Sequence, residues 1–379
     1  MKKILFAFIL LFTFNIIVKA QDFASNAKSA ILMEYSTGKI LYEKNSNERL
    51  APASMTKVMT MILVMDAIDQ GKLNYDSDIN ISLNASNMGG SQMFLEANST
   101  VKLKELLKGL SIASANDAAV ALAEAVGGSV ENFVKMMNEK ASALNLKNTN
   151  FQNPHGLDEE GHYTSAYDMA IMAKELIKHE KILEFTSTYE DYFNKSDGSR
   201  TWLVNTNRLV RFYSGVDGLK TGYTSNAKYC LTATAKKNNI RFITVVMGEE
   251  TSDQRSKETT ELLNYAFNSY KINTILSKDQ ELGKVSIEKG NIDNATLVTK
   301  DDINEVELIN EQNKEYKYNI KVDNLKAPIY QGQKVGSVEI IDSEGNIVRE
   351  ETLTIKENVD KISYLKLIIK NLKLILSGN

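Results

Sequence analysis

A serine and a lysine three residues apart, Ser54 and Lys57, are the first residues along the chain whose types and spacing suggest covalent chemistry. At the start of a helix, positions i and i+3 lie on one face, so the Lys57 amine can reach the Ser54 hydroxyl. A serine hydroxyl is a poor nucleophile until a neighbouring base takes its proton. A lysine can act as that base when burial or another cation lowers its pKa. The pair therefore predicts nucleophilic catalysis at Ser54.

The spacing alone is weak evidence, because it recurs at positions that are expected on the protein surface. Other pairs with the same spacing include Ser25/Lys28, Ser36/Lys39, Ser99/Lys102, Ser225/Lys228 and Ser286/Lys289.

Two short motifs further along the chain could complete the site. Ser114-Ala115-Asn116 stands directly before an alanine-rich helical pattern, where its residue types also suit a helix N-cap, so both a catalytic and a capping role are open. Lys220-Thr221-Gly222 occurs once, before an apolar strand. On an edge strand, Lys220 would supply a second cation, Thr221 a hydroxyl for a substrate carboxylate, and Gly222 room for a substrate backbone. The alternative is an ordinary strand end with a turn glycine.

The hydropathy pattern around these motifs predicts an α/β domain with an antiparallel sheet. Two β-rich runs, 30–35 and 39–43, flank a Gly-containing turn and indicate a hairpin. In this part of the chain, strands are predicted near the beginning and near the end, and helices lie between them. This order favours an antiparallel sheet over a doubly wound parallel one. The other elements predicted are helices over 54–68, 116–126, 165–179 and 255–267 and a strand over 240–247.

Near residue 272 the pattern changes to short strand runs separated by Gly, Asn and Asp. This pattern is typical of a small all-β domain. The strands are predicted at 284–288, 295–299, 306–309, 316–322, 337–341 and 347–355.

The N-terminus predicts export. Lys2 and Lys3 precede an apolar run that ends at Val18, and a small residue, Ala20, precedes Gln21 as at a cleavage site. Residues 1–20 are therefore interpreted as a secretory signal peptide, with a retained anchor as the alternative.

The C-terminus predicts membrane association. On a helix over 358–379, Lys366, Lys370 and Lys373 fall within one arc, opposite a broad aliphatic face. The lysines are too costly for a bilayer span, so the helix is expected to lie in the membrane interface. The alternative is packing against the β-domain.

Composition argues against several other functions. The formal net charge is −3, so no overall field recruits nucleic acid, and no nucleic-acid partner is expected. Cys230 is the only cysteine and lies in an apolar run, which indicates a buried hydrophobic residue and not a nucleophile. The histidines, His155, His162 and His179, form no His-x-His pair, so neither a metal nor a cofactor is expected.

The three motifs together are far more specific than any one of them. Ser114 follows Ser54 by 60 residues and Lys220 follows Ser114 by 106, an order typical of penicillin-binding proteins and serine β-lactamases. From about Ser25 onward the chain resembles the D-alanyl-D-alanine carboxypeptidases, the low-molecular-weight penicillin-binding proteins. The resemblance also rests on residues 50–53, 89–91, 93–95, 153–158, 164–170, 205–207 and 332–336.

This resemblance implies removal of the terminal D-alanine from peptidoglycan stem peptides that end in D-Ala-D-Ala, and covalent inhibition by β-lactam antibiotics. It implies acylation of Ser54, with Lys57 as the base. It implies that Ser114, Asn116 and Lys220 pass a proton to the leaving D-alanine, and that the backbone N–H groups of Ser54 and Tyr223 form the oxyanion hole. It also implies that Thr221 and Gly222 bind the substrate and that His155 lies beside the cleft. Arg255 is implied to bind the substrate's terminal carboxylate.

One departure from the family pattern is expected to strain the backbone. The family has Ala-Gly-Tyr after the third motif, whereas this chain has Ala227-Lys228-Tyr229.

Three other functions fit the sequence less well. A serine β-lactamase shares the scaffold, but its water-activating glutamate lies between the second and third motifs, and the similar segment 261–264 comes after them. A zinc peptidase would need clustered His and acidic ligands. An inactive wall-binding protein would be expected to have lost a motif.

We therefore predict an α/β (α+β) domain of the serine D,D-peptidase/β-lactamase type at 21–271, with an antiparallel sheet flanked by helices. A small all-β domain at 272–357 and an amphipathic helix at 358–379 follow. The protein is expected to be exported and to lie peripherally on the outer face of the cytoplasmic membrane, next to the cell wall.

Overall fold

The computed structural model describes residues 23–195, 197–312, 314–366, 368 and 369. The predicted signal peptide, 1–20, lies outside these residues.

The first part of the chain alternates strands and helices. The strands are β1 (Ser29–Glu34), β2 (Ile40–Lys44), β3 (Asp78–Asn80), β4 (Thr100–Lys102), β5 (Glu190–Asn194), β6 (Arg200–Val204), β7 (Val216–Thr224), β8 (Lys228–Lys237) and β9 (Ile240–Glu249). The helices are α1 (Lys57–Asp69), α2 (Leu83–Ser86), α3 (Leu103–Ile112), α4 (Asn116–Gly127), α5 (Val130–Ala143), α6 (Ala166–Ile177), α7 (Ile182–Thr186), α8 (Leu209–Phe212) and α9 (Ser252–Ser269).

Five of these strands form one sheet, in the order β2-β1-β9-β8-β7. Every neighbouring pair is antiparallel, which confirms the predicted sheet type. Strand β1 pairs with β9, so the beginning and the end of the domain meet in the middle of the sheet. Strand β7, which carries the Lys-Thr-Gly motif, is left at one edge.

The alternation of side chains along these strands gives the sheet two apolar faces. On one face, Ile31 and Val245 join the core that contains the buried residues of α1, α4 and α6. On the other face, Leu32 and Phe242 pack with Leu263 of α9. The domain thus has three layers, with the larger group of helices on one side of the sheet and α9 on the other.

A second domain of strands follows directly. Its strands are β10 (Tyr270–Leu276), β11 (Glu281–Ser286), β12 (Asn294–Thr299), β13 (Ile303–Leu308), β14 (Lys317–Val322), β15 (Gly336–Ile341) and β16 (Ile347–Ile355). Five of them form a sheet in the order β11-β12-β16-β15-β14, and β10 pairs with β13. The all-β prediction is confirmed. Strand β10 was not predicted, since it begins immediately after α9 with no turn residues between them.

The C-terminal segment differs in part from its prediction. The amphipathic helix was expected to begin at 358, but Val359 is buried and forms two backbone hydrogen bonds with Ile329 of the β-domain. Residues 364–366, 368 and 369 are helical, and Tyr364 and Leu365 are exposed. The rest of the predicted helix lies outside the described residues, so it stays a prediction. No helix in the described ranges is long and apolar enough to cross a membrane.

Candidate active site

Ser54 lies in a 3₁₀ turn, Ala53–Thr56, that leads into α1, and Lys57 is the first residue of that helix. Ala53 has a φ of 47°, in the left-handed region that L residues rarely adopt. The turn is closely packed, since a Cβ at Gly156 would lie 1.9 Å from the carbonyl oxygen of Ala53. The turn that carries the candidate nucleophile Ser54 is therefore packed against a loop about 100 residues away in sequence.

Gly222 contributes to the same packing. A Cβ at this position would lie 2.8 Å from the carbonyl oxygen of Pro52 and 3.1 Å from the Cβ of Ala53. We predicted that Gly222 makes room for a substrate. In the structure its lack of a side chain lets the edge strand β7 approach the nucleophile's own turn.

The Lys57 side chain is completely buried, and its Nζ atom lies 3.0 Å from Ser54 Oγ. The same nitrogen donates to Asn116 Oδ1 at 2.7 Å and to the carbonyl oxygen of His155 at 2.6 Å. Burial, together with the positive charge of Lys220, holds the pKa of Lys57 well below its usual value. A neutral lysine has two N–H groups and one lone pair. When the amine is neutral and its two N–H groups donate to Asn116 and His155, the lone pair is left to face Ser54.

Asn116 connects this amine to the loop that walls the cleft. Its Nδ2 donates to Gly89 O and its backbone N–H donates to Ser91 O, both at 2.7 Å. Because Nδ2 is occupied in this way, the amide oxygen must face Lys57. The second motif thus orients the first.

Ser114 lies in the cleft wall, with a φ of 61° and 4% of its surface exposed. The residue at the N-cap of α4 is Ala115, which forms no side-chain capping hydrogen bond. The capping role that was left open for this motif is therefore wrong. The left-handed backbone at Ser114 instead turns the chain sharply before α4.

Asp117 was not predicted to matter, yet it fixes the same loop. Its buried carboxylate accepts hydrogen bonds from the backbone N–H groups of Met93 and Leu95 at 3.1 to 3.2 Å. Burial raises the pKa of Asp117, while these N–H donors act against that rise. The only sequence signal was its position directly after Asn116.

Lys220, on the edge strand β7, is buried to 1% exposure and donates to Thr221 O at 3.1 Å. Burial and the charge of Arg255 lower the pKa of Lys220 to about 7. The site therefore contains two buried amines whose protons are held weakly.

A cleft of about 470 Å³ opens in front of Ser54. Thr221, Gly222 and Tyr223 line it from β7, and Thr221 Oγ1 donates to Thr206 Oγ1 at 2.6 Å. The Tyr223 side chain is 55% exposed, and its ring lies 4.3 Å from that of Tyr229. The third motif is thus brought to the same space as the first two.

Arg255, in the first turns of α9, lines this cleft and is 6% exposed. Its Nε is buried and has no hydrogen-bond partner in the described part of the chain. A buried guanidinium with an unused donor is costly, and an anionic ligand would satisfy it. Arg208 also lines the cleft and was not predicted. The available signal was its place next to the 205–207 segment.

The two histidines near the site are kept neutral. Burial and the charge of Lys57 lower the pKa of His155 to about 3, and its Nδ1 accepts from the Leu157 N–H at 3.2 Å. Burial lowers the pKa of His162 to about 4. His162 Nδ1 accepts from the Gln152 N–H at 3.0 Å, so its Nε2 carries the proton and donates to Thr56 Oγ1 at 2.8 Å. His155 thus serves the site through its carbonyl oxygen.

Lys228 has a φ of 58°, so the expected backbone strain at this turn is present. Cys230 is fully buried, as predicted, and burial raises its pKa to about 11, which leaves it unreactive. Among the described residues, no group of three or more His, Cys, Asp or Glu could hold a metal ion.

Comparison with known proteins agrees with this geometry. Residues 16–251 match the family described as D-alanyl-D-alanine carboxypeptidase, and residues 270–361 match the penicillin-binding protein 5 C-terminal domain. The D-alanyl-D-alanine carboxypeptidase DacF of Bacillus subtilis is 50% identical over 348 residues, which are 92% of this chain and 89% of the relative. The DacA carboxypeptidase of Escherichia coli is 33% identical over 360 residues, which are 92% and 87% of the two chains.

A solved structure extends the agreement to the fold. Penicillin-binding protein 5 of Haemophilus influenzae is 34% identical, with a TM-score of 0.73 over 91% of this chain and 100% of that one. The similarity extends over both domains, and the chain belongs to the D-alanyl-D-alanine carboxypeptidase family.

Proposed function

We propose that the protein is a serine-type D-alanyl-D-alanine carboxypeptidase that removes the terminal D-alanine from peptidoglycan stem peptides. The observation that carries the proposal is the position of the buried Lys57 amine, 3.0 Å from Ser54 Oγ, with its N–H groups held by Asn116 and His155. Because burial and the charge of Lys220 hold the pKa of Lys57 well below its usual value, this arrangement favours the neutral amine, which is the form that can act as a base. A base within hydrogen-bond reach of a serine is the requirement for acylation.

In the first half of the reaction, Ser54 Oγ attacks the carbonyl carbon of the penultimate D-alanine as Lys57 takes the hydroxyl proton. The backbone N–H groups of Ser54 and Tyr223 stabilise the oxyanion of the tetrahedral intermediate. The carbon–nitrogen bond then breaks, and the leaving D-alanine amine receives a proton through Ser114 and Lys220. Water later hydrolyses the ester and releases the shortened peptide.

The free carboxylate of the terminal D-alanine is bound at the end of the cleft that contains Arg255. The Nε of Arg255 is buried and has no hydrogen-bond partner among the described residues, which favours an anionic ligand. Arg208 adds a second guanidinium, and Thr221 adds a hydroxyl. This subsite makes a chain end, and not an internal peptide bond, the preferred substrate.

Penicillin would acylate Ser54 in the same way, because the strained lactam carbonyl takes the place of the peptide carbonyl. In the described part of the chain, no carboxylate is among the hydrogen-bond partners of Ser54 or Lys57. Slow release of the penicilloyl ester therefore fits better than β-lactamase turnover, which needs an activated water.

Labelled penicillin tests the proposal. Incubation of the mature protein should label the peptide that contains Ser54, with a label that decays over minutes or longer, and Ser54→Ala should abolish both the label and D-alanine release. Ser91→Ala, a second serine of the cleft, is the control and should keep the label. A label that persists in Ser54→Ala, or rapid multiple turnover of penicillin, would contradict the proposal.

We also propose that the protein is exported by its N-terminal segment and held at the outer membrane face by its C-terminal helix. The support is the hydropathy of residues 1–20 and the lysine arc opposite an aliphatic face in the last segment. Exposure of Tyr364, Leu365, Ile368 and Ile369 is consistent with an apolar face left uncovered by the β-domain. The same considerations support domain limits of 21–271, 272–357 and 358–379.

A further inference from the structure

The hairpin formed by β5 and β6 has one buried and one exposed face. Phe193 and Leu203 are buried in the core, at 6% and 1% exposure. On the opposite face, Tyr192 and Trp202 are paired across the strands, with 46% and 59% of their surfaces exposed. We call these two residues the aromatic platform. Exposed aromatic side chains that are grouped in this way mark binding surfaces more often than isolated ones do.

Both rings of the aromatic platform are held in place by charged neighbours. The Arg200 guanidinium lies 5.0 Å from the centroid of the Tyr192 ring. Trp202 Nε1 donates to Glu190 Oε2 at 3.2 Å. Since the rings are already ordered, a ligand that stacks on them costs little side-chain entropy.

The aromatic platform is continuous with the catalytic cleft. Alternation along β6 puts Trp202 and Val204 on the same face of the strand. Val204 lines the cleft, as do the two residues that follow it. At 3.3 to 3.4 Å per residue, the two positions are about 7 Å apart along the strand.

The platform leads along the chain to the part of the cleft that is proposed above to bind the terminal carboxylate. The chain runs from Val204 to Thr206, which bonds to Thr221 at 2.6 Å, and on to Arg208. A substrate whose carboxylate is bound there extends its peptide in the opposite direction. On this placement, a neighbouring part of the wall polymer can reach the platform more readily than the rest of the same stem peptide.

We propose that the aromatic platform binds saccharide rings of the cell-wall glycan beside the stem peptide being trimmed. The C–H faces of pyranose rings stack on aromatic rings, and Glu190, Arg200 and Asn194 surround the platform with groups that can bond to hydroxyl and N-acetyl groups. This inference rests on the proposed function, because it takes the substrate to be part of that polymer.

The chemistry and size of the surface favour a saccharide over other occupants. Charged Glu190 and Arg200 flank the rings, which makes insertion into lipid costly. Two five-residue strands present a face of roughly 17 by 10 Å, or about 170 Å², whereas a stable protein interface buries about 800 Å² per partner. A few sugar rings match this area.

Trp202 is the only tryptophan of the chain, so intrinsic fluorescence reports on the platform directly. Titration of the mature protein with the tetramer of N-acetylglucosamine should give a saturable change in emission, with the same Kd in Ser54→Ala. Tyr192→Ala should weaken this Kd about tenfold through loss of one stacking ring. Tyr318→Ala, which removes a tyrosine of similar exposure from the β-domain, should leave it unchanged. No change with the tetramer, or a change only with anionic lipid vesicles, would overturn the proposal.

A kinetic comparison separates this inference from the proposed function. Trp202→Ala should lower kcat/KM for D-alanine release from intact wall polymer about tenfold and leave kcat/KM on a soluble D-Ala-D-Ala peptide unchanged. Equal effects on the two substrates, or none on either, would overturn the role of the platform. If the wild-type protein released D-alanine from neither substrate, the proposed function would fail, and the tetramer titration would still decide whether the platform binds saccharide.

Discussion

Lys57 and Lys220 are two buried amines within one site, and their charges are coupled. Each ammonium group loses the solvation of water, and each raises the cost of charging the other. Burial and the charge of Lys220 hold the pKa of Lys57 well below its usual value, and burial and the charge of Arg255 lower the pKa of Lys220 to about 7. Because Lys57 is the amine within hydrogen-bond distance of Ser54, it is the candidate base, and Lys220 is the candidate source of the nearby positive charge. The positive charge of Lys220 on β7 thus favours the neutral form of Lys57, which can accept the Ser54 proton.

This coupling predicts how the pH profile of acylation responds to charge at position 220. Without a cation there, protonated Lys57 is less disfavoured, so its pKa rises and a higher pH is needed to obtain the free base. Lys220→Gln should thus move the acid limb of the rate of acylation by penicillin upward by about one pH unit. The rate should also fall, because a proton carrier is lost.

Lys220→Arg is the matched control, because arginine keeps the positive charge at position 220 but does not lose its proton in the pH range measured. Its acid limb should stay at the wild-type pH even if its rate is low. The measurement is the second-order rate constant of acylation between pH 5 and 9. An acid limb at the wild-type pH in Lys220→Gln would contradict the coupling.

At the scale of elements, the sequence predicted what the site contains better than how it is held. Ser54 with Lys57, the second motif and the third were all found, because each is a short linear pattern with a known chemistry. The support given by Asp117 to the 93–95 loop and by Gly156 to the nucleophile turn was not found. These contacts join segments that are far apart in sequence. The sequence around a buried carboxylate or a turn glycine does not predict which distant residue it will contact.

The Gly156 contact predicts a strong effect of one methyl group. Gly156→Ala would put a Cβ against the backbone of Ala53, and its φ of 91° is unfavourable for alanine. We expect acylation of Ser54 to slow at least tenfold and the free energy of unfolding to fall by about 3 kcal/mol. Penicillin labelling rates and urea unfolding measure the two effects.

Gly161→Ala separates the clash from the backbone conformation. Gly161 has a similar φ of 79°, but a Cβ there would meet side-chain atoms only, the nearest being Gln152 Nε2 at 3.0 Å. This control should lose about 1 kcal/mol of stability and keep its acylation rate. Equal acylation rates in the two variants would show that the Ala53 contact does not position the nucleophile.

The turn between β7 and β8 gives a prediction of the opposite sign. Lys228 occupies the left-handed region, where a side chain costs about 1–2 kcal/mol and glycine costs little. Its ion pair with Glu250 is largely exposed, so it offsets little of this backbone strain. Lys228→Gly should therefore raise the Tm of the catalytic domain by about 2–4 °C.

Lys228→Ala removes the same ion pair but keeps the Cβ, so it should leave the Tm nearly unchanged. Calorimetry of the three proteins distinguishes backbone strain from charge. A Tm for Lys228→Gly at or below that of Lys228→Ala would mean that the left-handed conformation is not strained in this turn.

At the scale of the whole molecule, the two domains meet on the side of the central sheet that is remote from the site. Arg349 of β16 donates to Thr37 O at 3.1 Å, and Lys39 donates to Val306 O at 3.1 Å. Thr37 and Lys39 belong to the β1–β2 hairpin, whereas Lys220 lies on β7 at the other edge. Four interstrand spacings, or about 19 Å, separate those edges. The β-domain therefore supports the catalytic domain from the edge opposite the cleft.

This arrangement suits an enzyme held at its C-terminus, because the cleft then faces away from the point of attachment. The structure also indicates where the chain can be cut to test that attachment. Val359 is buried in the β-domain and Ile362 N–H donates to Lys289 O at 2.9 Å, so a truncation before these residues would damage the domain. Truncation after Ser363 removes the predicted helix and leaves those contacts intact.

The mature chain should sediment with anionic lipid vesicles, and the chain that ends at Ser363 should stay in the supernatant. Both should have the same kcat/KM on a soluble D-Ala-D-Ala peptide, because the cleft lies at the far edge of the sheet. Replacement of Lys366, Lys370 and Lys373 by glutamate keeps the length and the apolar face but reverses the charge that faces the lipid headgroups, and it should weaken binding by roughly 1 kcal/mol or more per residue. If the helix instead packs on the β-domain, truncation will leave sedimentation unchanged and lower the Tm of that domain, and the membrane role will be wrong.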